Sequence, residues 1–221
     1  TNALFSNTSG FSNTANGNQA LYFNTTGNYN SANGQRALHD NTTGNDNTAN
    51  GYQALYFNTT GNYNTANGYA ALLSNTTGIS NTANGRSALY SNSTGNYNTA
   101  HGRSALVSST GNGNIGLGYQ AADNLSAGDN NIFIGYDIDA PVATGSNQMS
   151  IGNLIYATDV DGTGTTASSG NVGIGNSSPS EKLHVEGGAR ITDLSGTNNR
   201  LVQTDATGVL SDVADGTTGQ V

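Results

Sequence analysis

The chain has 221 residues, of which 33% are apolar and only 9% are charged, and it contains no cysteine. The lack of cysteine excludes disulfide bonds and thiolate metal sites, and the low charge differs from the highly charged composition of most disordered chains. Since no apolar run approaches the ~18 residues of a membrane helix, we expect no membrane insertion.

The net charge of −8 is unevenly distributed along the sequence. Residues 1–122 carry three arginines and two aspartates, a net charge of +1, whereas residues 123–221 carry three basic and twelve acidic residues, a net charge of −9. Neither part has the cluster of Lys and Arg that nucleic-acid binding requires, so we expect no nucleic-acid partner. The sequence starts within a repeat, without a basic and apolar leader, which indicates a mature piece or a fragment.

A 17-residue repeat organises residues 1–106, and the turn Asn47–Tyr63 reads NTANGYQALYFNTTGNY. Four rows of residues recur at this spacing: Gly17, Gly34, Gly51, Gly68, Gly85 and Gly102; Gly10, Gly27, Gly44, Gly61, Gly78 and Gly95; Ala20, Ala37, Ala54, Ala71, Ala88 and Ala105; and Leu21, Leu38, Leu55, Leu72, Leu89 and Leu106. A fixed period of this length is typical of a solenoid, in which each repeat forms one turn.

Each repeat combines two short segments, NTANG and ALYF, with a turn-forming NTTGN cluster. The frequent glycines argue against helix. At about 3.3 Å per residue, one repeat measures about 56 Å, which suits one turn of a flattened solenoid with two strands and two corners. The sequence therefore predicts an all-β fold, a parallel β-solenoid of 17-residue turns.

The later, degenerate turns suggest which residues face the interior. In Asn114–Gly118, Asn131–Gly135 and Asn171–Gly175 the second and fourth positions are aliphatic, and strand alternation points both to one face, the predicted core. In the regular repeats these positions hold a hydroxyl row and an amide row: Thr14, Ser31, Thr48, Thr65, Thr82 and Thr99; and Asn16, Asn33, Asn50, Asn67, Asn84 and His101. We therefore predict stacked Thr and Asn ladders in the interior, with each amide bonding its neighbours.

Four segments follow from the pattern: a regular head at 1–106, degenerate turns at 107–157, a Gly/Thr/Ser linker at 158–170 and a neck or stalk at 171–221. The last segment contains three short alternating strands: Leu183–Val185, Ala189–Ile191 and Leu201–Gln203. Each strand is too small to fold alone, and the core of the head is thin. Both observations predict lateral support from further copies of the chain around a threefold axis.

Tyrosines form the candidate ligand-binding rows. One row is Tyr22, Tyr56 and Tyr90, another is Tyr29, Tyr63 and Tyr97, and Tyr52 and Tyr69 share a third position. Tyrosine rings beside Asn and Gln can stack on sugar rings while the amides bond hydroxyl groups. The alternative is that these rows pack between chains or shield the roll.

Other motifs carry weaker hypotheses. An N-x-S/T sequon begins at Asn7, Asn24, Asn41, Asn58, Asn75 and Asn92, which indicates either glycosylation or a corner in which Asn and Thr satisfy the backbone. None of the three histidines has a partner at metal-ligand spacing. The sequence has no nucleophile elbow, phosphate loop or supported carboxylate pair, so we expect no catalytic residues, no metal and no cofactor.

The repeat NTANGYQALYFNTTG and the stretch Gly170–Gly187 (GNVGIGNSSPSEKLHVEG) resemble phage-type tail-fibre proteins, and the turns ending at Gly135 and Gly175 resemble the head repeats of trimeric autotransporter adhesins. Tail-fibre proteins of this type usually end in an endosialidase-type intramolecular chaperone domain, which this sequence does not include. The resemblance implies a homotrimeric fibre with a left-handed parallel β-roll as its head. Asn at the usual aliphatic position departs from the pattern and implies a wetter axis.

These observations predict a non-enzymatic, extracellular structural fibre, located on a particle tail or a cell surface. Its repeat head is expected to act as an adhesin that binds a cell-surface glycan, with the chain itself as the second partner. One alternative is a purely architectural filament or surface layer without a specific ligand. Another is an ice-binding solenoid, although the Thr-Thr pairs lie in Gly-flanked turns.

Overall fold

A computed structural model describes residues 2–163 and 166–187, together with the backbone of two further strands. The strands each have three residues: β1 Thr14–Asn16, β2 Ser31–Asn33, β3 Thr48–Asn50, β4 Thr65–Asn67, β5 Thr82–Asn84, β6 Thr99–His101, β7 Ile115–Leu117, β8 Ile132–Ile134, β9 Met149–Ile151, β10 Ile155–Ala157, β11 Val172–Ile174, β12 Leu183–Val185, β13 Val202–Thr204 and β14 Leu210–Asp212. The described residues contain no helix, so none is long and apolar enough to cross a membrane.

Strands β1–β9 lie side by side in one parallel sheet, with one strand from each turn. The register follows the repeat, so that Thr48 of β3 pairs with Thr65 of β4, and it shortens once, where Thr99 pairs with Ile115. The chain thus makes about eight turns of a parallel β-solenoid. This confirms the predicted fold class, whereas the handedness and the trimeric assembly stay predictions.

Each regular turn contains one strand, so the second predicted strand is wrong. The segment Ala54–Phe57 is a turn, because Gln53 and Leu55 have φ of 55° and 52°, in the left-handed region. Such a conformation costs a leucine about 1–2 kcal/mol. Two features offset that cost: the Leu55 side chain is fully buried, and its N–H donates to the carbonyl of Ala71 at 3.0 Å.

Three rows of small or aliphatic side chains, all fully buried, form the core of the regular turns. They are the strand centres Ala32, Ala49, Ala66, Ala83 and Ala100; Ala20, Ala37, Ala54, Ala71, Ala88 and Ala105; and Leu21, Leu38, Leu55, Leu72, Leu89 and Leu106. Because strand side chains alternate, an inward Ala places both of its neighbours on the opposite face of the sheet.

The predicted interior position of the Thr and Asn rows is therefore wrong. Thr14, Thr48, Thr65, Thr82 and Thr99, and Asn16, Asn33, Asn50, Asn67, Asn84 and His101, lie on the outer face of the sheet and are half-buried or exposed. The Asn row does form a ladder, in which each Nδ2 donates to the Oδ1 of the next turn at 2.6–2.9 Å. Hydrophobicity predicts the wrong face here because the aliphatic residues of the later turns occupy these same outer positions.

Two other Asn rows form the buried ladders: Asn24, Asn41, Asn58, Asn75 and Asn92; and Asn30, Asn47, Asn64, Asn81 and Asn98. In the first row, Asn58 Nδ2 donates to Asn41 Oδ1 at 2.7 Å and to the Gly61 carbonyl at 3.0 Å. In the second row, Asn47 Nδ2 donates to the same Gly61 carbonyl at 2.8 Å. The buried sequon asparagines thus satisfy the backbone of the corner, as one of the two alternatives predicted, and their amides are closed to glycosylation.

The sheet continues beyond the ninth strand with a change of direction. Strand β10 runs antiparallel between β9 and β11, and β12 pairs in parallel with β11. Within the predicted linker, Asp161 accepts hydrogen bonds from the N–H and the hydroxyl of Ser169, both at 2.7 Å, and these bonds hold the pKa of Asp161 below its ordinary value. The predicted strand Leu183–Val185 is confirmed as β12.

The contacts divide the chain into two compact units, Thr1–Glu186 and Gly187–Val221. In the second unit, β13 and β14 form an antiparallel pair. The predicted strand at Leu201–Gln203 overlaps β13, although Leu201 itself lies outside the described residues. The predicted strand Ala189–Ile191 lies wholly outside the described residues.

Candidate ligand-binding surface

The row Tyr29, Tyr63 and Tyr97 lies at a corner of the solenoid, just before each buried asparagine. Each side chain is more than half exposed, at 56%, 64% and 63%. The three backbones share a φ of 58–59°, and the N–H of Tyr63 donates to the carbonyl of Asn45 at 3.1 Å. Because the corner is held by bonds between turns, the backbone that carries these exposed rings has the same conformation on every second turn.

The row Tyr22, Tyr56 and Tyr90 behaves differently, because its first two rings are enclosed by other aromatic side chains. Phe5, Tyr22, His39 and Tyr56 form one continuous stack with centroid separations of 5.1, 5.3 and 4.8 Å. Phe23 and Phe57 pack edge-on against Tyr22 and Tyr56 at 4.7 and 4.6 Å. Tyr22 and Tyr56 are thus packed among aromatic neighbours, whereas Tyr90 is 38% exposed, so the row of Tyr29 is the more exposed of the two predicted ligand-binding rows.

A third row runs along the residue that follows the glycine after each strand. It comprises Tyr52, Tyr69, Arg86, Arg103, Tyr119 and Tyr136, and we call it the Tyr–Arg stripe. Its first two members, Tyr52 and Tyr69, are the ones predicted from the sequence as a row. Arg86 and Arg103 keep the 17-residue spacing of the glycine row from Gly51 to Gly102. The turn before Gly118 is one residue shorter, so this fixed spacing misses the last two tyrosines.

The stripe is continuous in its side-chain contacts on each side of the two arginines. Tyr52 and Tyr69 stack with centroids 5.3 Å apart, and the Arg86 guanidinium carbon lies 5.5 Å from the Tyr69 ring centroid. On the other side, the Arg103 guanidinium carbon lies 5.6 Å from the Tyr119 centroid, and Tyr119 stacks on Tyr136 at 5.0 Å. Both cation–ring distances fall within the ~6 Å range of cation–π attraction.

The histidines occupy separate places. His39 is 7% exposed, and its Nδ1 lies 2.5 Å from Asp40 Oδ1. His101 ends the outer Asn ladder, 3.2 Å from Asn84 Nδ2. Among the described residues, no three His, Asp or Glu side chains come together in a way that could hold a metal ion.

A shallow, open groove lies between the last turns of the solenoid and the segment that returns to them. Pro141, Val142, Gln148, Asp159 and Pro179 contribute to its walls, and Asp159 is the one ionisable side chain among the described residues that line it. An isolated carboxylate in an open groove does not form a paired acid and base. The exposed side-chain rows of the solenoid are therefore the stronger candidate for ligand contact.

No protein-family model, curated protein or solved structure matches this chain.

Proposed function

We propose that this chain is a non-enzymatic structural fibre whose solenoid attaches to a cell-surface glycan, as in the tail fibres and trimeric adhesin heads that its repeats resemble. Its location would be extracellular, on a particle tail or a cell surface. The observation that carries this proposal is the exposed row of Tyr29, Tyr63 and Tyr97 on a rigid corner, with neighbouring asparagines.

The chemistry of this corner suits sugars. A tyrosine ring offers an apolar face to the C–H groups of a sugar ring and a hydroxyl group for hydrogen bonding. Asn62, directly before Tyr63, is held by an Nδ2 bond to the Thr60 carbonyl at 2.9 Å, so its position is fixed before a ligand binds. Fixed groups lose little conformational freedom on binding, and repeated weak sites strengthen attachment through effective concentration.

The outer sheet face supports the proposed homotrimer. In the later turns this face carries aliphatic pairs instead of Thr and Asn: Ile115 and Leu117, Ile132 and Ile134, Met149 and Ile151, and Val172 and Ile174. Ile134, Val172 and Ile174 are 36%, 37% and 37% exposed in the single chain. A continuous apolar face of this kind typically marks a protein–protein interface, and two further copies around a threefold axis would cover it.

Glycan attachment is tested with the triple variant Tyr29→Ser/Tyr63→Ser/Tyr97→Ser on an immobilised polysaccharide panel. Serine already occupies this row at Ser12 and Ser80 with φ of 55° and 56°, so the fold should persist. The matched control is Tyr56→His, because His39 occupies the same row. We expect the triple variant to lose about tenfold or more in affinity, consistent with aromatic side chains as hot spots, and the control to bind normally. Equal binding by both variants, or no binding by the parent chain, would overturn the proposal.

Assembly is tested by light scattering on the intact chain. A particle mass of about three times 22.4 kDa supports the trimer, and Ile134→Asn/Ile151→Asn should then reduce that mass. A monomer would contradict the shared axis. A large, open-ended polymer would instead favour the architectural filament over the adhesin.

One observation favours a second candidate function, ice binding. The outer face of β1–β6 presents in-register rows of Thr and Asn on one parallel sheet, not only in Gly-flanked turns. A regular row of hydroxyl groups spaced at about 4.8 Å is the kind of array that could order water. A thermal hysteresis assay of the parent chain and of Thr65→Tyr tests this candidate, which fails if the parent chain shows no hysteresis.

A further inference from the structure

We propose that the Tyr–Arg stripe binds a linear anionic polysaccharide along the solenoid axis, with Arg86 and Arg103 contacting its acidic groups and the tyrosines stacking on its rings. This inference rests on the proposed glycan attachment, because it names the class of glycan. It assigns that class to a row separate from Tyr29, Tyr63 and Tyr97.

Charge is the first argument for an anionic ligand. Residues 47–122 contain no acidic residue, and Arg86 and Arg103 are their only arginines or lysines. Both side chains are exposed. In the described part of the chain, the ion pairs are His39–Asp40 and His184–Glu186, so neither arginine has a carboxylate partner there. Two neighbouring guanidinium groups without counter-charges attract anions, and their planar forks suit carboxylate, sulfate or phosphate.

The placement of the two arginines supports a shared ligand. They lie on adjacent turns, where Thr82 pairs with Thr99 in register, so their backbones are about 4.8 Å apart. Each guanidinium is held against a tyrosine of the next turn outward, Tyr69 on one side and Tyr119 on the other. The two guanidinium groups therefore lean towards opposite ends of the stripe, and their like charges on adjacent turns are an arrangement that the acidic groups of a ligand would stabilise.

The length and chemistry of the stripe favour a polymer over a small anion. Six successive turns contribute to it, which at about 4.8 Å per turn gives a length of roughly 24 Å. The outer members Tyr52, Tyr69 and Tyr136 are 37%, 51% and 74% exposed, so aromatic faces and edges extend the contact on both sides of the charges. An extended polysaccharide advances by a similar distance per sugar, so that each turn can meet one ring.

The same features argue against a nucleic acid as the ligand. Aromatic rows and arginines also bind single strands, but such sites have a basic groove that follows many phosphates. Here the six turns of the stripe contribute two cationic side chains, and the whole chain carries a net charge of −8. The stripe therefore fits a sparsely charged polymer with stacking rings better than a strand with one charge per nucleotide.

The variants for the test come from the repeat itself. Gln35 occupies the same row as Arg86 and Arg103, so Arg86→Gln/Arg103→Gln places a residue that the turn already accepts. The matched control is Arg36→Gln, which removes an arginine from the adjacent row. Its row neighbours Gln19 and Gln53 have φ of 58° and 55°, close to the 60° of Arg36, so the control should also fold.

The experiment measures binding of the intact chain to two matched pairs of polymers: polygalacturonate and its methyl ester, and dextran sulfate and dextran. We expect the parent chain to prefer at least one acidic polymer over its neutral partner by about tenfold, as charge-assisted hydrogen bonds predict. Arg86→Gln/Arg103→Gln should remove that preference, whereas Arg36→Gln should change it less than about twofold because exposed charges act weakly at a distance. Carboxylate and sulfate ligands are distinguished by which pair shows the preference.

Three outcomes would overturn the inference: equal binding of acidic and neutral polymers, an unchanged preference in Arg86→Gln/Arg103→Gln, or tighter binding of a single-stranded oligonucleotide than of either acidic polymer. Binding of neutral glycans that depends on Tyr63 but not on Arg86 would leave the proposed function standing and contradict only this inference. Failure to bind any polysaccharide would contradict both.

Discussion

The turns before and after His101 build the same solenoid from different side chains. In β1–β6 the strand residues are Thr or Ser, Ala, and Asn or His, whereas β7–β9 read Ile-Gly-Leu, Ile-Phe-Ile and Met-Ser-Ile. Strand pairing continues in register across the junction, where His101 pairs with Leu117. The backbone path is therefore compatible with either an amide ladder or aliphatic rows on its outer face.

The interior shows a related difference. The regular turns fill it with Ala, Leu and two buried Asn ladders. The later turns introduce Phe133, Leu125 and Ile138, each of which is at most 1% exposed. The buried amide at the position of Asn131 becomes Gln148 one turn later. Where the buried apolar volume per turn is small, hydrogen bonds between stacked amides contribute more to specifying the fold. Where this volume is larger, the residues at the repeat positions can vary more. The following predictions test this difference, beginning with the largest effect.

Replacing a buried ladder asparagine should be the most damaging change in the regular turns. Asn64 donates to the Gly78 carbonyl at 2.8 Å, and its Oδ1 accepts bonds from the N–H and the Nδ2 of Asn81 at 3.0 and 3.1 Å. Asn64→Leu keeps the approximate volume but leaves the buried Asn81 N–H unpaired, at about 1–3 kcal/mol. It also removes one of the two hydrogen bonds made by the Gly78 carbonyl and one of the two made by Asn81 Nδ2, so we expect a total loss of about 4 kcal/mol. The measurement is the free energy of unfolding from a urea titration followed by circular dichroism.

The matched control for this variant is Asn67→Ser, in the outer ladder three residues later. Asn67 donates to Asn84 Oδ1 at 2.6 Å but is only half-buried, so water can replace the bond. The expected loss is below about 1 kcal/mol. If both variants lost the same stability, the distinction between buried and outer amides would be wrong.

Gly61 joins the two buried ladders, because Asn47 and Asn58 both donate to its carbonyl. A Cβ added there would lie within 2.5 Å of the Gly78 carbonyl oxygen, which belongs to the backbone of the next turn. Gly61→Ala should therefore cost about 3 kcal/mol, at the upper end of the range for overpacking. The measurement is thermal unfolding of this variant and of the control Thr60→Ala. Because Thr60 is exposed, we expect the control to change the free energy of unfolding by less than about 0.5 kcal/mol. A normal melting temperature for Gly61→Ala would show that adjacent turns can separate without loss.

The sequence predicted the solenoid because its period is a direct consequence of one residue stacking on its equivalent in the next turn. It did not predict the single strand per turn, since a left-handed Leu55 contradicts ordinary backbone preference and is stabilised only by contacts between turns. The inward face was misassigned for a related reason. Alanine is small enough for a tight interior, and hydrophobicity alone ranked the aliphatic neighbours above it.

The candidate site was predicted in part. Both predicted tyrosine rows exist, but periodicity could not distinguish the exposed Tyr63 from the stacked Tyr56, because that depends on the aromatic neighbours His39 and Phe57. Arg86 and Arg103 keep the 17-residue spacing of the Tyr–Arg stripe, but Tyr119 and Tyr136 join this row only once the shortened turn before Gly118 is aligned. When one turn is shorter by a residue, a search at a fixed spacing misses the members of the row that follow it.

The smallest effects are expected at the junction itself, where two opposite substitutions test whether the sheet face is covered. In the single chain His101 is exposed, and as a neutral imidazole its Nε2 accepts from Asn84 Nδ2 at 3.2 Å. His101→Asn would extend the amide ladder by one turn, and His101→Leu would extend the aliphatic rows from Leu117. On a face open to water, both changes should alter the free energy of unfolding by less than about 0.5 kcal/mol, because water can bond to Asn84.

In a trimer that buries this face, His101→Leu should cost about 1–3 kcal/mol by leaving the Asn84 amide without an acceptor, whereas His101→Asn should stay neutral. A cost that appears only above the concentration at which light scattering detects trimers would connect the junction to assembly. An equal, negligible effect in trimers would show that the chains meet elsewhere.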